Sequence, residues 1–452
     1  MASGEGVERK KVELGEVMED YALTPVPDRY RNSKLAYLSM ASIPMCMYYL
    51  AVGSLAAAYA GLVGALIANT IAFISFILLM WPLFSASYKT GLSFDMITRM
   101  YGWGRYGQLI LSILGVFVML GFWAMETHWM AVAFQETLRW GLWSWYLILL
   151  PIFILVPIFG HKAIGLFNYG AIPLGLGATV YVIVWFYTAG GISLNEAISF
   201  AMEPKIPGGL GAAISWVLAA HLAWCLTAGN HGRFLQTKRA YLAAAPFWGA
   251  MCHYIFPLMG ILLVYPFMVS LSKVVGPEQA AQMAYLPSVP FVAVLGLLGA
   301  IIVLCYQLNI QYINAYLPSI NLAYVADAIA KFRPGRYWWV IAINIIGIIL
   351  LATGFWEWIL AWADLAAGLA TSAAIISIVN YIYRVSKNYP LTVPDEKIPS
   401  VNGYGVISWI ISNAVAIPLY HLHIIPTSVV LNWPLAAIIY LALIKASGEK
   451  AL

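Results

Sequence analysis

The sequence has 452 residues, of which 62% are hydrophobic and only 10% are charged, with a net charge of +5. A soluble domain carries roughly 25% charged residues, so this composition excludes a water-soluble protein. Apolar runs of about 20 residues, each long enough to cross a bilayer as a helix, recur along the chain. They are too long and too uniformly apolar for the alternating strands of a β-barrel. The sequence therefore predicts an all-α polytopic membrane protein.

Residues 1–34 carry many charges and no apolar core, which predicts a cytoplasmic N-terminal tail rather than a cleaved signal peptide. About twelve candidate spans follow, by the criterion of roughly 20 apolar residues. Residues 35–190 and 191–385 are predicted to hold five spans each, and residues 386–452 two more. The predicted spans begin near Leu35, Gly61, Gln108, Trp143, Phe167, Gly211, Ala240, Pro287, Tyr337, Glu357, Val406 and Thr427.

Basic residues in the loops predict how the chain is oriented in the cell membrane. Of the 24 Lys and Arg residues, only Arg139, Lys205 and Lys273 fall on the side opposite to the rest. Because Lys and Arg stay in cytoplasmic loops, both termini are predicted to be cytoplasmic. The net positive charge reflects this asymmetry and does not indicate nucleic-acid binding. Residues 89–107 are too polar to span, and form either a short amphipathic helix at the inner surface or a simple connector.

Helix-breaking residues interrupt the first and sixth spans. The first span contains Ser42, Pro44 and Gly53, and the sixth contains the segment TAGNHG at residues 227–232. Proline removes a backbone donor, and glycine permits unusual torsion angles. Five spans separate the two interruptions, which is the interval expected of a five-helix repeat. Transporters bind substrates and ions at such paired breaks near the middle of the membrane.

Polar residues form a stripe on the third span and another on the eighth. In the third span, Phe122, Glu126 and Trp129 recur at i, i+4 and i+7, which places them on one helical face. The eighth span carries amides at the same intervals, Gln307, Gln311 and Asn314. Polar side chains are costly in lipid unless they face a cavity or one another. The stripes favour a lined cavity, and hydrogen bonding between helices is the alternative.

Four segments carry a family resemblance: YKTGLSFDMITRMYGWG (88–104), GFWAME (121–126), TAGNHGRF (227–234) and INAYLPS (313–319). In their order and spacing they resemble the nucleobase–cation symporters, the family of cytosine, hydantoin and allantoin permeases. The resemblance covers nearly the whole chain. It implies a leucine-transporter-type fold, with two inverted five-helix repeats and two further C-terminal helices. It also implies import of a flat nitrogen heterocycle by alternating access, coupled to H⁺ or Na⁺.

The resemblance also implies residues that bind the substrate. The family's stacking aromatic in the third span corresponds to Phe122, or to Trp123 if the register shifts by one residue. The family's hydrogen-bonding glutamine corresponds to Glu126. His221 corresponds to an aromatic residue over the ligand, and Asn314 to an asparagine that reads its edge. The predicted substrate-binding residues are Phe122, Trp123, Glu126, His221, Gln311 and Asn314.

Two departures from the family pattern concern the coupling ion. The family's sodium site combines carbonyls of the broken first helix with a Ser/Thr pair in the eighth span, but residues 306–318 contain no Ser or Thr. Carbonyls near Pro44 and the side-chain oxygen of Asn309 remain candidate ligands. The second departure is Glu126, a candidate proton carrier because burial disfavours the charged form of a carboxylate. Asp364 in the tenth span is a second candidate, so H⁺ and Na⁺ both stay open, with no other cofactor expected.

Other interpretations of Glu126 and of the chain remain. Glu126 could instead pair structurally with His128, with His221 or with a backbone group. The same fold could carry an amine or amino acid, although an acid at position 126 would repel a substrate carboxylate. The sequence has no paired metal-ligand motif, no nucleophile beside a base and no nucleotide-binding loop, which argues against an enzyme or an ATP-driven pump. A channel is distinguished from a carrier only by measuring saturable uptake.

Overall fold

The computed structural model describes residues 21–422, 424–425 and 427–447. Across these residues the chain forms α-helices with short 3₁₀ and π segments, and no β-strand. Eight helical stretches are long and apolar enough to cross a membrane. Two of these are bent into two spans each by glycines with positive φ, Gly61 (+68°) and Gly160 (+78°). Together with the shorter apolar helices Gly209–Ala219 and Arg336–Ala352, they confirm about twelve spans.

The first half of the described chain contains six helices: α1 (Ser33–Met40), α2 (Met47–Thr90), α3 (Phe94–Thr98), α4 (Gln108–Leu138), α5 (Leu142–Leu155) and α6 (Gly160–Tyr187). Helix α2 comprises two spans, a first arm at residues 47–60 and a second arm at residues 62–90, which meet at Gly61. A Cβ atom on Gly61 would lie 2.3 Å from the carbonyl oxygen of Met202. Only glycine therefore fits this turn, both for its torsion angle and for its space.

The second half contains thirteen helices: α7 (Leu194–Met202), α8 (Gly209–Ala219), α9 (Leu222–Cys225), α10 (Ala228–Gly232), α11 (Lys238–Ala250), α12 (Phe256–Val275), α13 (Pro277–Ala281), α14 (Val289–Leu295), α15 (Leu297–Ala330), α16 (Arg336–Ala352), α17 (Ile359–Ser386), α18 (Gly403–His421) and α19 (Val429–Ala446). A π-helical turn, Met251–Ile255, joins α11 to α12 within one span. The eighth span begins at Leu297 rather than near Pro287, because Gly296 at φ +56° separates it from α14.

The first span is broken where the sequence predicted. Helix α1 ends at Met40 and α2 begins at Met47, so residues 41–46 around Pro44 are not helical. In the sixth span the break lies at residues 220–227, interrupted only by the short α9, and TAGNHG is mostly helical, as α10. The glycines of that motif serve close packing instead. A Cβ on Gly232, for example, would lie 2.1 Å from a side-chain atom of Ser87.

The polar stretch at residues 89–107 packs inside the protein rather than on a membrane surface. It forms α3 and a π-helical turn, and Asp95 within it is fully buried. The Asp95 carboxylate accepts hydrogen bonds from Ser112 Oγ at 2.6 Å, Gln108 Nε2 at 3.1 Å and Asn321 Nδ2 at 2.9 Å. Because Ser112 and Gln108 belong to α4 and Asn321 to α15, Asp95 fastens the ends of these two helices together.

Residues 21–32, here called the N-terminal strap, lie against the same end of the bundle. The Val26 N–H donates to the Gly91 carbonyl oxygen at 2.9 Å, and the Asn32 N–H donates to that of Phe234 at 3.0 Å. Ala22 and Val26 are buried. The described part of the predicted tail is therefore packed on the bundle, and the first 20 residues of that tail lie outside the described residues.

Replacing Gly53 with alanine is expected to destabilise the fold. A Cβ on Gly53 would lie 1.9 Å from the carbonyl oxygen of Pro257, so the first arm of α2 and α12 would have to separate. We expect a cost of about 1–3 kcal/mol, the usual range for overpacking. The measurement is the thermal unfolding midpoint of the purified protein in detergent. The control is Gly170→Ala on α6, where no atom lies within 4 Å of the added Cβ; equal midpoints for the two variants would contradict the packing argument.

Candidate functional site

Two side-chain amides of α15 satisfy the backbone of the broken first span. The Met47 N–H, the first of α2, donates to Gln307 Oε1 at 2.9 Å. The Met45 carbonyl oxygen, inside the break, accepts from Asn309 Nδ2 at 2.9 Å. Peptide groups that lose helical partners in lipid must find others within the protein. The polar stripe of the eighth span therefore supplies the partners that this break requires.

Glu126 is joined to the break through Gln307. The Gln307 amide accepts from Met47 through its oxygen, so its NH₂ group is left to donate, and it donates to Glu126 Oε2. Glu126 is fully buried, the Cys46 thiol lies close to its carboxylate, and its Oε1 atom has no hydrogen-bond partner of good geometry among the described residues. His128 bonds instead to the Tyr146 hydroxyl at 2.8 Å, which turns it away from a pairing with Glu126. One carboxylate oxygen thus remains free to meet a ligand or a proton.

Four aromatic side chains from four helices meet one helical turn from Glu126, and we call them the aromatic cluster: Tyr48, Phe122, Trp216 and Trp362. Phe122 contacts Tyr48 and Trp362 edge-to-face, with ring centroids 5.1 and 5.4 Å apart. Tyr48 in turn lies 5.5 Å from Trp216. Because these rings touch, a flat ligand has to part them before it can stack on Phe122.

Trp123 points to a different side of α4 from Phe122. Its Nε1–H donates to Asn344 Oδ1 at 2.9 Å, and its ring meets Phe153 edge-to-face at 5.7 Å. A Cβ on Gly347 would lie 2.3 Å from this indole, so the glycine makes room for it. Of the two aromatic residues predicted for stacking, the structure therefore places Phe122 in the cluster and Trp123 in packing against α5 and α16.

His221, predicted to lie over the ligand, lies in the break of the sixth span and contacts residues outside the aromatic cluster. Its Nε2 atom is 2.7 Å from Ser75 Oγ, and its ring centroid is 4.9 Å from that of His253. Among the described contacts, none joins it to the aromatic cluster. Trp216, five residues earlier on α8, contacts Tyr48 instead. The motif resemblance did not point to Trp216, because TAGNHGRF does not encode the length of the break that precedes it.

The two polar stripes face each other directly. Gln311 Nε2 donates to Thr127 Oγ1 at 2.8 Å and to the Trp123 carbonyl oxygen at 3.2 Å. Asn314 Nδ2 lies 3.5 Å from Gln311 Oε1, at the limit of a hydrogen bond. In this conformation Gln311 therefore binds helix to helix, which is the alternative that the sequence left open.

A cavity of about 370 Å³ lies at the opposite ends of the spans from the N-terminal strap. Trp216 of the aromatic cluster and Asp364 of α17 both line it, together with Tyr59 at the end of the first arm of α2. The Asp364 carboxylate accepts from Thr427 Oγ1 at 3.0 Å and from Ser428 Oγ at 3.2 Å. Asp364 thus faces a space that reaches the aromatic cluster rather than the surrounding lipid.

No protein-family model and no curated protein matches the sequence, but solved structures match nearly all of the chain. Mhp1, a nucleobase-cation-symport-1 family transporter in a closed conformation with bromovinylhydantoin bound, superposes with a TM-score of 0.71 at 17% identity, covering 95% of this chain and 96% of Mhp1. The chain has the Mhp1 fold. An inward-facing conformation of Mhp1 gives a TM-score of 0.70 at 16% identity, covering 94% of this chain and 93% of Mhp1.

A second solved protein shares this fold. A Na⁺-coupled sialic acid symporter, in a substrate-bound outward-open state, has a TM-score of 0.62 at 11% identity, covering 94% of this chain and 93% of that chain. At these identities the likeness is one of fold. It confirms the all-α, leucine-transporter-type architecture expected from the sequence, and the Mhp1 fold agrees with the motif resemblance to nucleobase–cation symporters.

Replacing Gln307 with leucine is expected to destabilise the protein, because the Met47 N–H and Glu126 would both lose a buried partner. Each unsatisfied group costs about 1–3 kcal/mol. Thermal unfolding in detergent measures the effect, and Gln135→Leu, at a half-buried position on α4, is the control. The double variant Gln307→Leu/Glu126→Leu should lose less stability than the two single changes added together, since the carboxylate is gone. Strict additivity would show that the two side chains do not interact.

Proposed function

We propose that this protein is a secondary active transporter that imports a nucleobase or a related flat nitrogen heterocycle by alternating access. The observation that carries the proposal is the free Oε1 atom of Glu126, one helical turn from Phe122 on the same face of α4. An aromatic face beside a hydrogen-bond acceptor suits a flat ring with N–H groups at its edge. The Mhp1 fold supports the transport part of this proposal.

A heterocycle is proposed to enter between the rings of the aromatic cluster and stack on Phe122. Its N–H edge, such as the amino face of cytosine or adenine, would donate to Glu126, and hydrogen bonds to a carboxylate are among the stronger ones. Tyr48 must move aside to admit the ring, and Tyr48 follows directly on the break in the first span. Substrate binding would in this way act on the broken helix itself.

We propose coupling to protons, carried by Glu126. Among the described residues no Lys or Arg forms an ion pair with this buried carboxylate, so a proton is the available means to neutralise it. The Met45 carbonyl oxygen, a candidate cation ligand near Pro44, is already bonded to the Asn309 amide. A side-chain N–H thus takes the place at this carbonyl that a sodium ion would otherwise occupy.

One end of the bundle holds a cavity and the other is covered by the N-terminal strap, which supports an access path from the cavity side. The cavity at Asp364 leads to Trp216, while the N-terminal strap covers the other end through its bonds to Gly91 and Phe234. In the orientation that the Lys and Arg residues of the loops predict, the cavity faces outward and the strap faces the cytoplasm. Import would then begin with the cavity open and finish with the strap displaced.

Uptake into proteoliposomes tests the substrate and the coupling ion together. Labelled cytosine, adenine, uracil, hydantoin and allantoin are each offered with a proton gradient or with a sodium gradient. We expect at least one heterocycle to accumulate with the proton gradient alone. Glu126→Gln should abolish this accumulation while exchange of labelled for unlabelled substrate continues, because exchange needs binding but no net proton movement.

The control for this experiment is Glu136→Gln, which removes an exposed carboxylate from the same helix. It should leave accumulation unchanged. Accumulation that follows sodium and survives Glu126→Gln would contradict proton coupling through Glu126. If no heterocycle enters under either gradient, the heterocycle proposal is wrong, and the amine or amino-acid substrate becomes the better candidate.

Phe122→Leu tests the stacking role separately. We expect the KM for uptake to rise about tenfold with little change in kcat, since stacking of a base on an aromatic ring contributes about 1–3 kcal/mol. Phe134→Leu is the control, because Phe134 is also buried on α4 but stacks on Trp145 outside the aromatic cluster. Similar KM values for the two variants would exclude Phe122 as the stacking residue.

A further inference from the structure

We propose that the cavity between Trp216 and Asp364 is a second binding site, selective for a flat ring that carries a positive charge. We call it the vestibule site. It would hold the substrate before the aromatic cluster opens, and to that extent it rests on the proposed function. The inference narrows the substrate class to heterocycles that are cationic, or that become so by taking up a proton.

The charge of the vestibule site is unbalanced. The described hydrogen-bond partners of the Asp364 carboxylate are all neutral: the hydroxyls of Thr427 and Ser428 and the backbone N–H of Ser428. The described residues that line the cavity include no Lys or Arg. His421, which interacts electrostatically with Asp364, is exposed at the end of α18. A cavity lined by one sign of charge with low-dielectric walls concentrates ions of the opposite sign.

The walls of the vestibule site suit an organic cation. Tyr59, Trp216 and Tyr420 present aromatic rings to the space that Asp364 faces. A positive charge over an aromatic face is attracted by the ring quadrupole, most strongly where water is excluded. Tyr59 is held in place by a 3.3 Å contact between its hydroxyl and that of Tyr285. The volume of the vestibule site, about 370 Å³, lies within the range of small-molecule sites.

A metal ion fits this site less well than a ring. The Thr427 and Ser428 hydroxyls both donate to Asp364, which leaves them poorly placed to turn their lone pairs to a shared ion. Among the described residues, no three His, Cys, Asp or Glu side chains are grouped as metal ligands. The space is also far larger than a dehydrated cation, and much of its lining is aromatic or aliphatic.

Two rings, those of Trp216 and Tyr48, connect the vestibule site to the proposed stacking position at Phe122. Trp216 lines the cavity on one side and contacts Tyr48 on the other, and Tyr48 contacts Phe122. Carboxylates therefore lie at both ends of the same row of rings, Asp364 in the cavity and Glu126 beyond the aromatic cluster. A ring with a positive charge is attracted at both ends of this path, and an anion is repelled at both.

Equilibrium binding to the purified full-length protein in lipid nanodiscs tests the vestibule site. The probes are 1-methylnicotinamide, which carries a permanent positive charge, and nicotinamide, a neutral ring of similar shape. We expect the charged probe to bind about tenfold more tightly, in line with a carboxylate and cation–π contacts in a partly desolvated cavity. Asp364→Asn should remove this preference, and Glu357→Gln, an exposed acid just before α17, should keep it.

Tyr420→Leu provides a second variant, in which the carboxylate is intact and one aromatic wall is lost. Tyr420→Leu should lower the affinity for the charged probe about threefold and the affinity for the neutral probe less. If Asp364→Asn does not fold, this variant tests the vestibule site on its own. Equal binding of the two probes, or a preference that survives Asp364→Asn, overturns the vestibule site. Displacement of the charged probe by millimolar NaCl, but not by the same concentration of N-methylglucamine chloride, would make it a sodium site and also overturn the proposal.

The binding experiment separates this inference from the proposed function. If heterocycle uptake fails but the charged probe still binds in an Asp364-dependent manner, the substrate proposal is wrong and the vestibule site stands. If uptake of a heterocycle succeeds while the two probes bind equally, the transporter proposal stands and the vestibule site is wrong.

Discussion

The structure depends on how the broken first span satisfies its peptide groups inside a bilayer, where each unpaired group costs several kcal/mol. Three side-chain amides from two other helices do so, namely Gln307, Asn309 and Asn168. Gln307 also donates to Glu126, so the interaction that permits the break also orients the buried acid. The break, the amide and the carboxylate form one unit, and a change to any of them acts on the other two.

Helices α4 and α15 behave as a single wall of the bundle. Glu126 with Gln307 and Thr127 with Gln311 join them near the middle, and Asp95 joins their ends. The first arm of α2 and the break before it contact this wall through hydrogen bonds to the Gln307 and Asn309 amides and through the contact of Tyr48 with Phe122. The α4–α15 pair is therefore firmly bonded within itself, whereas the first arm of α2 is attached to it through side-chain amides and rings and packs closely on α12.

Hydropathy and helical periodicity predicted the spans, the break at Pro44 and the shared face of Phe122 and Glu126, because each of these is a local property of the chain. The position of the second break could not be predicted in the same way. Glycines in TAGNHG resemble a helix break in sequence, yet they allow close packing. The motif does not encode the length of the break between α8 and TAGNHG, so it did not point to Trp216, which lies on α8, and it pointed instead to His221, which contacts Ser75 within the break. The meeting of the polar stripes likewise follows from tertiary packing, which no single span encodes.

The N-terminal strap is attached to the bundle partly through its backbone, and this determines which substitutions would reveal its contribution. Its bonds from Val26 to Gly91 and from Asn32 to Phe234 join backbone to backbone, and they attach α1 to the segments that follow the second and the sixth spans. Helix α1 therefore cannot swing outward alone. Side chains hold the strap as well, since Arg233 Nη1 donates to the Tyr21 carbonyl oxygen at 2.7 Å and Ser93 Oγ to that of Ala22 at 2.8 Å. Alanine scanning would therefore detect the side-chain part of this attachment and leave the two backbone bonds in place, and a proline, which removes the N–H itself, is the substitution that removes a backbone bond.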